Sequence, residues 1–199
     1  GNYECDGYAS GMSSYEYNYY CDGDDKDFIT FFRDAYDSTG SIDIRTFGSQ
    51  YWEDGRIITF VSSYNFQTEI PYVTPGNRPR FLESLNLRSN DFSGPVPDWF
   101  SALDNLQNLN LRSNDLSGNF PESLADLAYL ESVDLRYNAI SALPENIDEI
   151  ESLKSLDLGS NNLTSIPESI GNLSNLSTLY LSSNNLTSIP ESIGNLSNL

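Results

Sequence analysis

Three arginines, Arg88, Arg112 and Arg136, recur at intervals of 24 residues in this sequence. They are three of only ten basic residues in a chain that also has 29 acidic residues and a net charge of −19. A guanidinium group is planar and donates hydrogen bonds in pairs to carboxylate and sulfate oxygens. If the three side chains stack on one face, the sequence predicts a site for an anionic group, such as a peptide carboxylate, a sulfate or an acidic sugar.

Further residues recur beside the arginines and are candidates for the same binding surface. One set stands two positions before the arginine position of each repeat: Asn86, Asn110, Asp134, Asp157 and Tyr180. Tyr137, directly after Arg136, is a further candidate. The alternative interpretation is that the arginines pair with Asp134 and neighbouring amides in a solvated ladder, because stacked like charges repel each other.

Catalytic chemistry has little support in the sequence. There is no histidine, which excludes Ser-His-Asp and Cys-His nucleophile systems and histidine metal sites. Carboxylates are abundant, but the pattern assigns no pair of them to a pocket that would raise one pKa. We therefore expect no enzyme activity, no cofactor and no metal site. The acidic charge also does not suit nucleic acid, which lysine and arginine bind, or an anionic membrane surface.

The elements that must position these side chains are five repeats of the pattern L-x-x-L-x-L-x-x-N. Within each repeat, leucines such as Leu85 and Leu87 alternate with polar residues, which predicts a short strand with the leucines pointing inward. Each strand is followed by an asparagine, and these asparagines are 24, 24, 23 and 23 residues apart: Asn90, Asn114, Asn138, Asn161 and Asn184.

This pattern is similar to that of leucine-rich repeat proteins, and the early repeats resemble the plant-type subclass. Phe92-Ser-Gly94-Pro-Val-Pro97 and Leu116-Ser-Gly118-Asn-Phe-Pro121 match its L-S-G-x-x-P motif, whereas Leu163-Thr-Ser-Ile-Pro167 is one residue shorter and lacks the glycine. The resemblance implies a curved α/β solenoid with a parallel sheet on the concave face, an N-terminal helical cap and a ladder of the five asparagines. It also implies secretion or cell-surface display, and a ligand bound by the concave face.

The chain is predicted to have three parts. Residues 1–56 are a tyrosine-rich segment and a helical cap, whose helix runs from Lys26 to about Asp37. Residues 57–81 resemble a degenerate first repeat, because Phe60-Val-Ser-Ser-Tyr-Asn65 approximates L-x-L-x-x-N. Residues 82–199 contain the five leucine-rich repeats, and we expect no C-terminal cap.

Cys5 and Cys21 are the two cysteines, and both lie in the tyrosine-rich segment. A disulfide between them is the preferred interpretation and implies an oxidising compartment. The alternative is two free thiols. The acidic run Asp22–Asp27 lacks the glycine and final glutamate that an EF-hand loop needs, so we expect Asp24 or Asp25 to cap the helix that follows.

Five N-x-[ST] sequons for N-glycosylation occur after residue 160. They also arise directly from the repeat consensus, so the pattern alone does not show that glycans are attached. No run of 18 apolar residues occurs, and we expect no membrane-spanning segment and no signal peptide. The sequon asparagines are Asn162, Asn172, Asn175, Asn185 and Asn195.

Two classes of function remain. The first is an extracellular recognition or adhesion module that binds a protein, peptide or glycan. The second is a structural glycoprotein in which the tyrosine-rich segment of one subunit covers the apolar C-terminal end of the next, so that subunits assemble head to tail into a filament or sheath. Residues 161–176 and 184–199 are identical, so we expect individually tuned binding residues in the earlier repeats, residues 82–152.

Overall fold

The computed structural model describes residues 3–6, 18–21, 49–53, 56–61, 69–73 and 79–199. The predicted helix from Lys26 to Asp37 and the acidic run before it lie outside the described residues. The predicted helical cap is therefore not tested.

Two short strands contain the cysteines. Strand β1 (Tyr3–Asp6) pairs antiparallel with β2 (Asn18–Cys21), so that Cys5 lies opposite Tyr19 and Cys21 lies opposite Tyr3. This register describes the backbone alone, and the disulfide stays a prediction.

Ten further strands form two sheets. In chain order they are β3 (Ser49–Glu53), β4 (Arg56–Val61), β5 (Ser84–Asn86), β6 (Ser93–Gly94), β7 (Asn108–Asn110), β8 (Asp115–Asn119), β9 (Ser132–Asp134), β10 (Ala139–Ala142), β11 (Ser155–Asp157) and β12 (Thr178–Tyr180). The larger sheet has seven strands in the order β12-β11-β9-β7-β5-β4-β3. It is parallel except for the β3–β4 hairpin. The predicted curved solenoid with a parallel sheet on its concave face is confirmed.

Register in this sheet follows the repeat period. Leu85 lies opposite Leu109, Leu109 opposite Val133, and Val133 opposite Leu156. Because one side chain in two points inward along a strand, this register stacks the apolar residues of successive repeats into one continuous core. All four of these side chains are at most 1% exposed.

Strand β4 joins the sheet in the same register as the five repeats. Phe60 lies opposite Leu85 and is fully buried, and Val61 lies opposite Asn86. The segment therefore contributes a repeat-like strand, although the predicted part boundaries at residues 56 and 81 are not tested by this pairing.

The smaller sheet was not predicted. Strands β6, β8 and β10 pair in parallel in the first three repeats. Gly94 and Gly118 have φ angles of +76° and +84° in this sheet, a backbone conformation that glycine adopts without steric cost. The L-S-G motifs of these repeats therefore shape the sheet, and the shorter Leu163–Pro167 segment has no strand.

The return leg of each repeat contains a short 3-10 helix. Four of the five helices directly follow a proline, whose restricted φ suits the first turn of a helix. Their leucines, isoleucines and phenylalanines, such as Phe100 and Leu124, close the core from the side opposite the parallel sheet. The helices are Asp98–Ala102, Glu122–Asp126, Ile147–Glu149, Glu168–Asn172 and Glu191–Asn195.

The ladder asparagines join successive repeats, as Asn114 shows. Its side-chain amide donates to the carbonyl oxygens of Leu111 at 2.8 Å and Leu87 at 3.0 Å, and its Oδ1 accepts from the N–H of Phe92 at 3.1 Å. Each such side chain therefore satisfies backbone groups of its own repeat and of the repeat before it. Equivalent bonds are made by Asn138, Asn161 and Asn184.

Candidate binding surface on the concave sheet

The candidate ligand-binding residues lie on the concave sheet in two columns. The Asx column is formed by residues that the strand register places side by side: Asn86, Asn110, Asp134 and Asp157, followed by Tyr180. The arginine column stands two residues later in each repeat and consists of Arg88, Arg112 and Arg136. Adjacent strands are about 4.8 Å apart, so the guanidinium groups of neighbouring repeats are held near each other.

Side chains of the Asx column bind the backbone at the strand ends. In each case Oδ1 accepts a hydrogen bond from the N–H two residues later, as with Asn110 and Arg112 at 3.1 Å and Asp134 and Arg136 at 3.0 Å. Asn86 and Asp157 make the same bond at 3.0 and 2.9 Å. One oxygen of each side chain is therefore engaged locally, and the second polar atom is left for a ligand.

Tyr137 holds two arginines of the column. The guanidinium carbons of Arg136 and Arg112 lie 4.8 and 5.2 Å from the centroid of its ring, within the range of a cation–π contact. Arg136 also donates a hydrogen bond from Nη2 to the tyrosine hydroxyl at 3.2 Å. The stack of Arg112, Tyr137 and Arg136 is thereby ordered, while the tyrosine remains 45% exposed.

The backbone of Tyr137 is in the left-handed region, with φ at 58°. The equivalent residue in the other four repeats is serine, with φ between 56° and 57°. This conformation costs an L-residue roughly 1–2 kcal/mol and is least expected for a bulky side chain. A tyrosine at this position is therefore not explained by the repeat consensus, and strained residues of this kind concentrate at functional sites.

Both arginines of the stack have donors without a partner. Nε of Arg112 and Nε of Arg136 are buried and make no hydrogen bond. An unpaired buried donor costs about 1–3 kcal/mol. The stack thus retains two unfavourable features, the strained tyrosine and the unpaired nitrogens.

The predicted alternative, in which the arginines pair with Asp134, takes a weaker form in the structure. Within the described residues, the ion pair closer than 4.0 Å is that of Lys154 and Glu131, at 2.6 Å. Burial raises the pKa of the Asp134 carboxyl above its usual value of 3.8. The charges of Arg112 and Arg88 lower that pKa without reversing the shift. The arginines therefore act on Asp134 through space and keep their terminal nitrogens available.

The arginine column ends at Gly159, and Ser182 follows in the last repeat. A Cβ at Gly159 would lie 3.1 Å from Oδ1 of Asp157 and 3.6 Å from Cδ of Arg136. The missing side chain leaves room for both neighbours.

Tyr51 is a concave residue that sequence reasoning missed. Strand β3 pairs antiparallel with β4 so that Tyr51 lies opposite Thr59, whose parallel partner is Ser84. Tyr51 is 58% exposed and extends the aromatic content of the face beyond the five repeats. The alternation of residues 49–53 before Asp54-Gly55, a typical hairpin turn, is the signal that predicts such a strand.

The sequon asparagines all lie outside the strands of the large sheet, and all five are exposed. Asn172 donates to the Asp148 carboxylate at 3.0 Å, and Asn175 donates to the Glu151 carbonyl at 2.8 Å. Glycans at these positions would leave the concave face uncovered.

Two further features bear on the site. Within the described residues, no group of three or more histidine, cysteine, aspartate or glutamate side chains is arranged to bind a metal ion. No helix in that part of the chain is both long enough and apolar enough to span a membrane.

Two family models match the array. One is described as a leucine-rich repeat region and matches residues 114–199, and the other is described as leucine rich repeat and matches residues 80–140. Residues 80–199 belong to the leucine-rich repeat family. Both descriptions are of repeats rather than of catalytic domains. A comparison of the sequence with curated proteins finds no match.

The leucine-rich repeat array is similar to solved structures from plants and bacteria. The ectodomain of the receptor kinase GASSHO1/SCHENGEN3 from Arabidopsis thaliana, in complex with CASPARIAN STRIP INTEGRITY FACTOR 2, is 29% identical with a TM-score of 0.70. That match covers 81% of this chain and 20% of the receptor chain. The structure of PEPR1-AtPEP1 is also 29% identical with a TM-score of 0.70, covering 88% of this chain and 27% of that one.

A bacterial leucine-rich repeat protein is similar over a shorter stretch. The protein from Leptospira interrogans is 36% identical with a TM-score of 0.57, covering 63% of this chain and 31% of that chain. The chain thus spans less than a third of each of these three structures.

Proposed function

We propose that this protein is a non-enzymatic recognition module that binds a protein or peptide ligand through the concave sheet. The observation that carries the proposal is the stack of Arg112, Tyr137 and Arg136, which is ordered, partly exposed and not required by the repeat consensus. Tyrosine and arginine are enriched among the residues that dominate binding energy in protein interfaces.

The group bound at the arginine column is anionic. Three guanidinium groups recur at one strand spacing in a chain with a net charge of −19, and their mutual repulsion is relieved when an anion bridges them. A peptide carboxylate, a sulfate and an acidic sugar all provide paired oxygens of this kind. The Asx column and Tyr180 lie beside the column and provide further polar and aromatic contacts.

Similarity to receptor ectodomains supports a peptide or protein ligand. GASSHO1/SCHENGEN3 was solved with CASPARIAN STRIP INTEGRITY FACTOR 2, and PEPR1 was solved with AtPEP1. Because this chain spans about a quarter or less of those chains, the nature of its own partner rests on the concave residues.

The same comparison supports a location outside the cell, either secreted or on the cell surface. Five exposed sequon asparagines and the predicted disulfide between Cys5 and Cys21 agree with passage through an oxidising secretory compartment. Mass spectrometry of the protein from its natural source, before and after glycosidase treatment, tests the glycans.

Head-to-tail assembly is the less supported function. Ile189 of the last repeat is 56% exposed, but the tyrosine-rich segment that would cover it lies outside the described residues. Size-exclusion chromatography and electron microscopy of the purified protein distinguish the two. Discrete monomers support the recognition module, and fibres support assembly.

The binding proposal is tested by calorimetry with anionic probes: peptides with a free carboxylate and their amidated forms, a sulfated oligosaccharide and an oligogalacturonate. At least one anionic probe is expected to bind, and Arg112→Ala is expected to weaken its binding about tenfold or more. The matched control is Lys154→Ala, which removes a positive charge that pairs with Glu131 outside the column. Equal affinities for the parent and Arg112→Ala would contradict the proposal.

A further inference from the structure

The sign of the charge reverses along the concave sheet. The arginine column accompanies strands β5, β7 and β9 and then ends at Gly159. Asp134 and Asp157 lie side by side on β9 and β11, and no arginine follows Asp157 in its own repeat or the next, where Gly159 and Ser182 stand.

Folding does not require these two carboxylates. Asp134 and Asp157 each accept a backbone N–H with Oδ1, as Asn86 and Asn110 do with the same geometry in the earlier repeats. A neutral amide therefore satisfies the turn.

The negative charges are also unfavourable where they stand. Burial raises the pKa of Asp134, and the neighbouring Asp157 carboxylate adds to the rise. The carboxylates thus oppose each other in a place where asparagine would form the same turn, and a cation bound between them would remove that repulsion.

We propose that the ligand of the concave face carries a cationic nitrogen, from a lysine or arginine side chain or a free α-amino group, that binds between Asp134 and Asp157. The anionic group of the same ligand binds at Arg112. This inference rests on the proposed function and specifies its ligand as one with opposite charges at a defined separation.

The sheet sets that separation. Arg112 follows β7 and Asp157 ends β11, two strand spacings apart, or about 10 Å. An extended peptide rises about 3.3 Å per residue, so the opposite charges are three residues apart if the peptide crosses the strands. The seven strands of the sheet span about 29 Å, the length of roughly nine extended residues.

Capped nine-residue peptides of glycine and serine test the proposal. One peptide carries glutamate and lysine three positions apart, and two others carry glutamate or lysine at both positions. Measured by calorimetry at low ionic strength, the mixed peptide is expected to bind about fivefold more tightly than the double-glutamate peptide. The double-lysine peptide is expected to bind most weakly.

Two variants locate the effect. Asp157→Asn keeps the oxygen that accepts the backbone N–H and is expected to abolish the preference for the mixed peptide. Asp115→Asn, an exposed residue on β8 outside the concave sheet, is expected to keep that preference. Double-glutamate binding equal to or tighter than mixed binding overturns the inference but leaves the proposed anion site standing. Binding of none of the glutamate-containing peptides overturns both.

Discussion

The guanidinium carbon of Arg136 lies 4.8 Å from the ring centroid of its neighbour Tyr137, whose backbone φ is 58°. The left-handed conformation turns this ring back between Arg136 and Arg112, the arginine of the preceding repeat. One strained residue thereby organises two repeats of the binding surface.

Replacing Tyr137 with serine, the residue of the other four repeats, is expected to impair binding more than folding. The variant loses two exposed cation–π contacts of about 0.5–1 kcal/mol each, so the free energy of unfolding should fall by less than about 2 kcal/mol in urea titrations. Affinity for the anionic probe should fall with the loss of the ordered stack. A variant that folds poorly would instead assign Tyr137 a structural role.

Replacing Asn114 with alanine is expected to lower the free energy of unfolding by about 1–3 kcal/mol, because buried backbone groups of two repeats lose their partner. Urea denaturation followed by circular dichroism measures the change. The control is Asn108→Ala on the neighbouring strand, where the side chain is exposed and the expected change is within about 0.5 kcal/mol. Equal losses for both variants would refute the account of the ladder.

The repeat period predicts the inward leucines and the fold, because those features belong to every repeat and depend on position within it. The stack at Tyr137 could not be derived in the same way. Its geometry depends on a backbone angle and on arginines from two repeats that no single pattern relates. The small sheet depends likewise on how three turns lie against one another. Tyr51 was missed because its strand precedes the regular array.

Gly171 and Gly194 occupy the same position in the two identical segments but have different surroundings. A Cβ at Gly171 would overlap the backbone carbonyl oxygen of Ser192, whereas a Cβ at Gly194 would meet nothing within 4 Å. Gly171→Ala is therefore expected to destabilise the protein by about 1–3 kcal/mol or more, and Gly194→Ala by less than about 0.5 kcal/mol. Thermal unfolding of both variants checks this, and similar melting temperatures would contradict it.

Replacing Asp134 with asparagine is expected to stabilise the protein in a pH-dependent manner. Burial raises the folded-state pKa of this carboxyl above 3.8, so between the two values the folded state holds more protons than the unfolded state. Stability from this group therefore falls as the pH rises through that window. The gain from Asp134→Asn should be present at pH 7 and absent below the usual pKa. Denaturant titrations of both proteins across this range test the sign, and a gain confined to low pH would contradict it.

Residues 161–176 recur unchanged at 184–199, one step of 23 residues later. A further copy inserted between them would present to each neighbour a surface that the neighbour already meets, so no interface would have to be redesigned. Each copy would widen the concave sheet by one strand, about 4.8 Å, and would leave the residues around Tyr137 unchanged. Reach and selectivity are therefore encoded in different parts of the chain, and duplication can change one while point substitution changes the other.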